Sequence, residues 1–426
     1  MTSEKQKILV VTRDISYVGG TEKFIEEYIL YLAYNKKPII YLYETDGHNA
    51  FDNPKIYEKL IKSGIKIYKS KNPCNNFWNP ENAHHLSEII KIEKINIVHT
   101  FLFNPDFTIY SIINGLSNTR HLLQTQYKDL NLSPNQKNNM LNLKKLPQTQ
   151  KNFTWVSSKL CDFSVALEEN TPLWKLRKKI IDNELELLVS SQTDIIHVVS
   201  KKAQQKWLQM NKNVRLSPCC SIGKKDIIQI NNTIQKTTST PQKGLIFCTI
   251  SRLVEEKGLG LLIKSFQTHN KSHPDDKLII GGTGPLEKKL KKLAKNSKNI
   301  NFIGKLTRSQ VINTLSNSHV FVLLSESEGF PLTIQEAMAC SLPILATNVG
   351  GILDLVQPNC GKLIKPNDKE MVIKKLSWYS NPQNRKKIIK MGKESKKRIH
   401  KYYLKENVIE KIFFSYFCNI SNPQNE

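Results

Sequence analysis

Two carboxylates eight residues apart, Glu328 and Glu336, lie in the segment FVLLSESEGFPLTIQEAMAC. The apolar run before them reads as a buried strand. The run after Pro331 reads as a helix, because proline suits a first helical turn, where its missing N–H costs nothing. A loop that feeds a helix N-terminus offers free N–H groups to an anion, and Gly329 and Phe330 stand in that loop. Glu328 in the loop and Glu336 in the second turn could both accept hydrogen bonds from a polyhydroxylated ligand whose phosphates lie at the helix start. Each such bond to a charged group is worth about 1.5–3 kcal/mol. The spacing alone leaves a second reading open, with Glu328 as a cap and Glu336 as a solvated helix residue.

Other residues suit the same kind of ligand. In SRLVEEKG, Arg252 and Lys257 lie five apart beyond an apolar run, so a guanidinium fork and an ammonium could meet one diphosphate. In a lysine-rich chain both could equally be surface residues. Gly282 and Gly284, in GGTGP, allow the backbone to turn and approach a ligand. Asn348-Val349-Gly350-Gly351 is a second glycine-rich helix start of this kind. Near the N-terminus, Gly19-Gly20-Thr21-Glu22 opens a helix after a strand but lacks the full G-x-G-x-x-G fingerprint. His99 ends an apolar run, either as a packed strand histidine or as a hydrogen-bonding partner for a reacting sugar. No D-x-D triplet is present to hold a divalent metal on a diphosphate, so no metal site is expected.

These residues need a scaffold, and the chain alternates short apolar runs with amphipathic stretches. Lys7–Thr12, Pro38–Tyr43, Gly64–Tyr68, Ile95–Thr100, His121–Gln126 and Asp194–Ser200 read as strands, and Thr21–Ala33 as a helix. After a polar stretch the pattern restarts with strands at Gly244–Ile250, Lys277–Ile280, Asn301–Ile303, His319–Leu324, Pro343–Thr347 and Gly361–Ile364. The expected fold is α/β, with two Rossmann-like, doubly wound parallel-sheet domains facing a cleft. The expected boundaries are 1–222 for the first domain, 223–243 for a linker and 244–402 for the second domain.

Composition narrows the partners. The chain has 426 residues with a formal net charge of +26, so it should attract anions. The eight cysteines form no C-x-x-C, which disfavours structural zinc and a disulfide framework; the pair Cys219-Cys220 reads as strand-end residues. No apolar run approaches the roughly 18–20 residues of a membrane span. The start is too polar for a signal peptide. A cytoplasmic protein is expected, touching the inner membrane face at most peripherally. Trp174–Ile181, WKLRKKII, combines an aromatic, aliphatics and four basic residues, as interfacial helices do. It could equally pack on the first-domain core.

Taken together, SRLVEEKG, GGTGP, EGFPLTIQEAMAC and TNVGG, in this order and spacing, resemble retaining glycosyltransferases of family 4, which have the glycosyltransferase-B fold. The resemblance covers 244–368, and more loosely 7–33 and 95–100. It implies that Arg252 and Lys257 bind the donor diphosphate, that Glu328 contacts the donor sugar, and that Glu336 holds the ribose hydroxyls. It places Gly19-Gly20 beside the diphosphate and His99 at the first position of a His-x-His pattern. Phe101 stands where several members carry the catalytically important histidine. Ser251 and Ser341 replace common glycines. A final helix, within 403–426, is expected to pack back on the first domain.

The expected activity is transfer of a sugar from a nucleotide sugar, with UDP as the favoured base, to a glycan or lipid-linked acceptor, with retention and without metal. The catalytic set would be Glu328, Arg252, Lys257 and His99. The donor set would add Gly19, Gly20, Gly282, Gly284, Gly329, Phe330 and Glu336. A nucleotide-sugar epimerase is the competing enzyme class and would isomerise donor alone. A non-enzymatic basic binder of membrane or nucleic acid has the charge, but no recognised nucleic-acid motif supports it.

Overall fold

The computed structural model describes residues 5–12, 15, 20–36, 38–45, 54–70, 80–101, 108–110, 112–113, 151–159, 191–209, 211–236 and 244–417. The expected strand His121–Gln126 and the segment Trp174–Ile181 lie outside them. The chain divides into two compact units. Unit 1 comprises Met1–Val198, Ala203–Ser217 and Lys411–Glu426; unit 2 comprises Val199–Lys202 and Pro218–Glu410.

Among the described residues, unit 1 is built on seven parallel strands: β1 (Lys7–Thr12), β2 (Ile39–Glu44), β3 (Lys66–Lys69), β4 (Ile97–Phe101), β5 (Thr154–Lys159), β6 (Ile195–Val198) and β7 (Val214–Leu216). Their order is β3-β2-β1-β4-β5-β6-β7. Helices α1 (Gly20–Asn35), α2 (Pro54–Lys62), α3 (Pro80–Ile92) and α4 (Lys201–Leu208) follow strands β1, β2, β3 and β6 in the chain. Leu9 and Val11 of β1, Tyr41 and Tyr43 of β2, Val98 of β4 and Trp155 of β5 share one core with Leu86 and Ile90 of α3. Strand β5, TWVSSK, is not among the expected strands. Its Ser157 and Ser158 are fully buried all the same, in an interior strand that pairs with β4 and β6.

Among the described residues, unit 2 has six parallel strands: β8 (Ile246–Ile250), β9 (Lys277–Gly281), β10 (Ile300–Gly304), β11 (Val320–Leu323), β12 (Ile344–Thr347) and β13 (Gly361–Ile364). All six match expected strands to within two residues at either end. Their order is β10-β9-β8-β11-β12-β13. The helices of this half are α5 (Lys224–Lys236), α6 (Leu259–Asn270), α7 (Glu287–Ala294), α8 (Arg308–Ser316), α9 (Leu332–Ala339), α10 (Ile352–Leu355), α11 (Lys369–Ser380), α12 (Arg385–Tyr402) and α13 (Lys405–Ser415). Phe247, Leu262, Phe266, Leu278, Val320, Val322 and Leu345 anchor its core. A fully buried Phe contributes about 1.5–3 kcal/mol relative to exposure.

Two expectations need correction. The segment 223–243 contains α5 in place of a linker, because Ile227 and Ile230 are buried one turn apart amid polar neighbours. Cys219 and Cys220 lie beyond the end of β7, in irregular backbone, where both are buried and in no disulfide. Residues 405–410 of α13 group with unit 2, and the chain from Lys411 onward groups with unit 1. Among the described residues no helix is long and apolar enough to cross a membrane.

Candidate active site

The strand order of unit 2 reverses between β8 and β11, which are neighbours although β9 and β10 intervene in sequence. The loops leaving the C-terminal ends of two such strands diverge to opposite sides, and ligands of open α/β sheets bind at that point. Arg252 and Lys257 sit in the loop after β8, and Glu328 in the loop after β11. The two loops are locked by backbone: Glu326 N donates to Glu256 O at 2.8 Å. Gly258 has φ +62, and a Cβ there would lie 2.2 Å from Leu324 O.

The result is a direct contact. Lys257 Nζ is 2.6 Å from Glu328 Oε1, with side chains only 13% and 11% exposed. Ser325, fully buried, donates from Oγ to the same Oε1 at 2.7 Å. Ser325 is in turn tied down by Thr347 Oγ1, which donates to its carbonyl at 2.5 Å. Glu328 is therefore held by a cation and a hydroxyl from its own unit. Arg252 differs. Its side chain is exposed and makes no hydrogen bond or ion pair among the described residues.

The glycines are where backbones must touch. Gly282 has φ +120, and a Cβ on it would fall 1.9 Å from Ser251 O; one on Gly284 would fall 2.6 Å from Leu253 O. Leu253 N donates to Thr283 O at 3.0 Å, so the glycine turn runs along the residues that carry Arg252. Gly350 has φ +48, and its Cβ would overlap Glu328 O, while Gly351 N donates to Gly329 O at 2.8 Å. The Asn348–Gly351 loop thus braces the backbone of Glu328 and Gly329.

Pro331 is the N-cap of α9 and not its first helical residue, and no side chain caps that end. Phe330 is buried, its ring centroid 5.4 Å from that of Tyr403, which leaves its backbone as what it can offer a ligand. Glu336 lies in the second turn of α9, as expected, but is not a solvated residue. Arg308, the first residue of α8, donates from Nη1 to Glu336 Oε1 and from Nη2 to Asp226 Oδ1, the latter at 3.3 Å. Burial favours loss of the Arg308 proton, but the Glu336 and Asp226 carboxylates outweigh it and hold the group above its ordinary value. Sequence reasoning misses Arg308 and Ser325. Arg308 stands 28 residues from Glu336 and 82 from Asp226, with no motif around it.

In unit 1, Gly20 opens α1, while Gly19 lies outside the described residues. His99 is within β4 and fully buried. Its Nδ1 lies 2.7 Å from Tyr416 Oη and 3.1 Å from Tyr28 Oη, and its Nε2 lies 2.7 Å from Ser158 Oγ. Phe101 stacks on the ring at 4.2 Å. Burial, with His197 close by, pushes His99 well below the ordinary imidazole value. Both ring nitrogens are thus engaged with buried hydroxyls of unit 1. Among the described residues no three of His, Cys, Asp and Glu gather to hold a metal ion.

Residues 231–398 match the family model "Glycosyl transferases group 1". Over 144 residues the chain is 33% identical to a GDP-mannose-dependent monoacylated alpha-(1-6)-phosphatidylinositol monomannoside mannosyltransferase of Corynebacterium glutamicum, a match covering 32% of this chain and 38% of that protein. Over 173 residues it is 31% identical to a sulfoquinovosyl transferase of Arabidopsis thaliana, covering 40% of this chain and 32% of that protein. The matched stretch thus spans about a third of these relatives. Across nearly the whole chain the fold matches a glycosyltransferase from Rickettsia africae, with a TM-score of 0.67, 17% identity, and 97% of this chain and 98% of that one covered. It also matches Anabaena HepE in complex with UDP-glucose, with a TM-score of 0.60, 13% identity, and 96% and 98% covered. The chain has the glycosyltransferase-B fold, and its residues 231–398 match the model of the glycosyl transferases group 1 family.

Proposed function

We propose that the protein is a retaining glycosyltransferase that moves a sugar from a nucleotide-sugar donor to a glycan or lipid-linked acceptor without a metal ion. The observation that carries this reading is the Lys257–Glu328 contact at the β8/β11 switch point, within the stretch that matches the group 1 model. Lys257 has three ammonium donors, so it can hold Glu328 and a phosphate together. Arg252 supplies a second, exposed cation. Gly282 and Gly284 keep the neighbouring backbone close, and the N–H groups of Gly329, Phe330 and the uncapped start of α9 add positive potential.

In this reading Arg252, Lys257 and the α9 N-terminus stabilise the charge that develops on the leaving diphosphate, which is the work a metal would otherwise do. Glu328 binds the donor sugar and Glu336 the ribose hydroxyls. The acceptor hydroxyl oxygen bonds to the anomeric carbon as the anomeric carbon–phosphate oxygen bond breaks on the same face. The acceptor proton passes to the leaving phosphate oxygen.

UDP is the first choice of base, with GDP the comparison, since one relative is named as GDP-mannose-dependent. The test is a thermal-unfolding screen of UDP- and GDP-sugars. A ligand at 100 times its dissociation constant adds about 2.7 kcal/mol of stability. Stabilisation by one nucleotide sugar, followed by its turnover with acceptor and no isomerisation alone, supports the transferase. Isomerisation of donor alone would make it an epimerase. The net charge of +26 and the lipid-linked acceptor class together support peripheral contact with an anionic cytoplasmic membrane face. Salt-sensitive sedimentation with anionic but not neutral vesicles tests it.

A further inference from the structure

We propose that Arg308 is a positioning residue for Glu336 and, through it, sets how tightly the ribose of the donor is held. The inference rests on the assignment of Glu336 to the ribose hydroxyls. Three elements meet at the guanidinium: α8 supplies Arg308, α9 supplies Glu336 and α5 supplies Asp226. The acidic ends are enclosed, with side-chain exposure of 13% for Glu336 and 19% for Asp226. Asp226 is anchored in turn. Its Oδ2 accepts from Gly223 N at 2.9 Å, and Lys405 Nζ stands 3.9 Å from the same oxygen.

A glutamate on a helix surface has three rotatable side-chain bonds and samples several rotamers. Here one carboxylate oxygen, Oε1, is fixed by Nη1 of a fork whose other arm is fixed on a second helix. That restrains the carboxylate before any ligand arrives. Ordering a side chain in advance spares the cost of ordering it on binding, which amounts to roughly a tenfold gain in affinity. A lysine at this position has the charge but not the planar two-armed geometry, so it could not serve both acids in the same way. A surface ion pair with no functional consequence would be mobile and nearly neutral in energy. Here the guanidinium is 38% exposed, but it joins two enclosed acids on separate helices, so it is held from both sides.

The experiment is calorimetric titration of UDP and GDP, and of the 2′-deoxy form of whichever binds the wild type more tightly. The proteins are wild type, Glu336→Ala, Arg308→Gln, Arg308→Lys, Asp226→Asn and the double variant Arg308→Gln/Glu336→Ala. Arg308→Gln is expected to weaken the nucleotide about tenfold and to shrink the preference for ribose over deoxyribose. Arg308→Lys does not restore either, and Asp226→Asn shows a smaller loss in the same direction. In the Glu336→Ala background Arg308→Gln adds nothing. Wild-type affinity and ribose preference in Arg308→Gln, or its full effect persisting without Glu336, would overturn the proposal while leaving the Glu336 assignment standing. Unchanged binding in Glu336→Ala, or no binding of either nucleotide to wild type, would overturn the assignment itself. Melting without nucleotide checks folding, and Asp226→Asn carries the same comparison should Arg308→Gln fail to fold.

Discussion

The ammonium of Lys257 lies 2.6 Å from Oε1 of Glu328, although 71 positions separate the two residues in the chain. The pairing of β8 with β11 makes this contact, and the glycines at 258 and 350 let the flanking backbones close around it. Ser325 meets the same oxygen, as the only hydroxyl among the described residues that donates to Glu328.

Ser325→Ala removes a hydrogen bond to a charged group, worth about 1.5–3 kcal/mol. The carboxylate then hangs on Lys257 alone. We expect a lower melting temperature and a turnover number reduced by about tenfold or more, with acceptor KM little changed. Wild-type turnover in a folded Ser325→Ala protein would show that the hydroxyl takes no part in holding Glu328.

Glycine substitutions should sort by geometry. Gly350→Ala and Gly282→Ala combine positive φ with a Cβ driven onto a carbonyl oxygen, so each should destabilise unit 2 by more than about 1 kcal/mol. Gly260→Ala, inside α6 with nothing within 4 Å of the new Cβ, should be neutral or stabilising by up to about 1 kcal/mol. Urea midpoints for the three variants check the ranking, and a harmless Gly350→Ala would contradict the described loop contact.

Much of this is legible in the sequence. All six strands of unit 2 can be read because buried parallel strands are nearly continuous apolar runs, and IFCTI and VFVL are such runs. Strand β5 escapes because Thr154, Ser157, Ser158 and Lys159 dilute its apolar signal, and β7 because it has only three residues. Helix α5 does carry a helical signal in Ile227, Ile230 and Ile234, hidden among Lys, Asn and Gln. The residues around the two acids are less accessible. Nothing local marks Arg308, and nothing local pairs His99 with Tyr416, which lies 317 positions away.

His99 and His197 are fully buried, and their rings lie 6.2 Å apart. Burial, helped by Arg215, pushes His197 down to about 3, and burial with His197 lowers His99. An unfolded histidine titrates near 6.5. Below that pH the unfolded chain takes up protons that the folded chain refuses, so stability is present above about 6.5 and declines as pH falls toward the folded values. Thermal melts from pH 7.5 to 4.5 should show the decline, and His197→Gln should flatten it. An identical slope in that variant would contradict the account.

Metal should be dispensable. With Arg252 and Lys257 as the cations at the β8 loop, transfer activity is expected to persist in EDTA. Complete loss on chelation, restored by Mg²⁺ or Mn²⁺, would reverse this part of the mechanism.

The central claim is that Arg252 and Lys257 hold a nucleoside diphosphate at the switch point of unit 2. Titration calorimetry of UDP and GDP into wild type, Arg252→Ala and Lys257→Ala tests it most directly. The account predicts that wild type binds one of the two nucleotides. It predicts that each variant loses about 2–4 kcal/mol of stabilisation, partly in binding and the remainder in turnover. No binding to wild type, or unchanged binding and turnover in both variants, would contradict it.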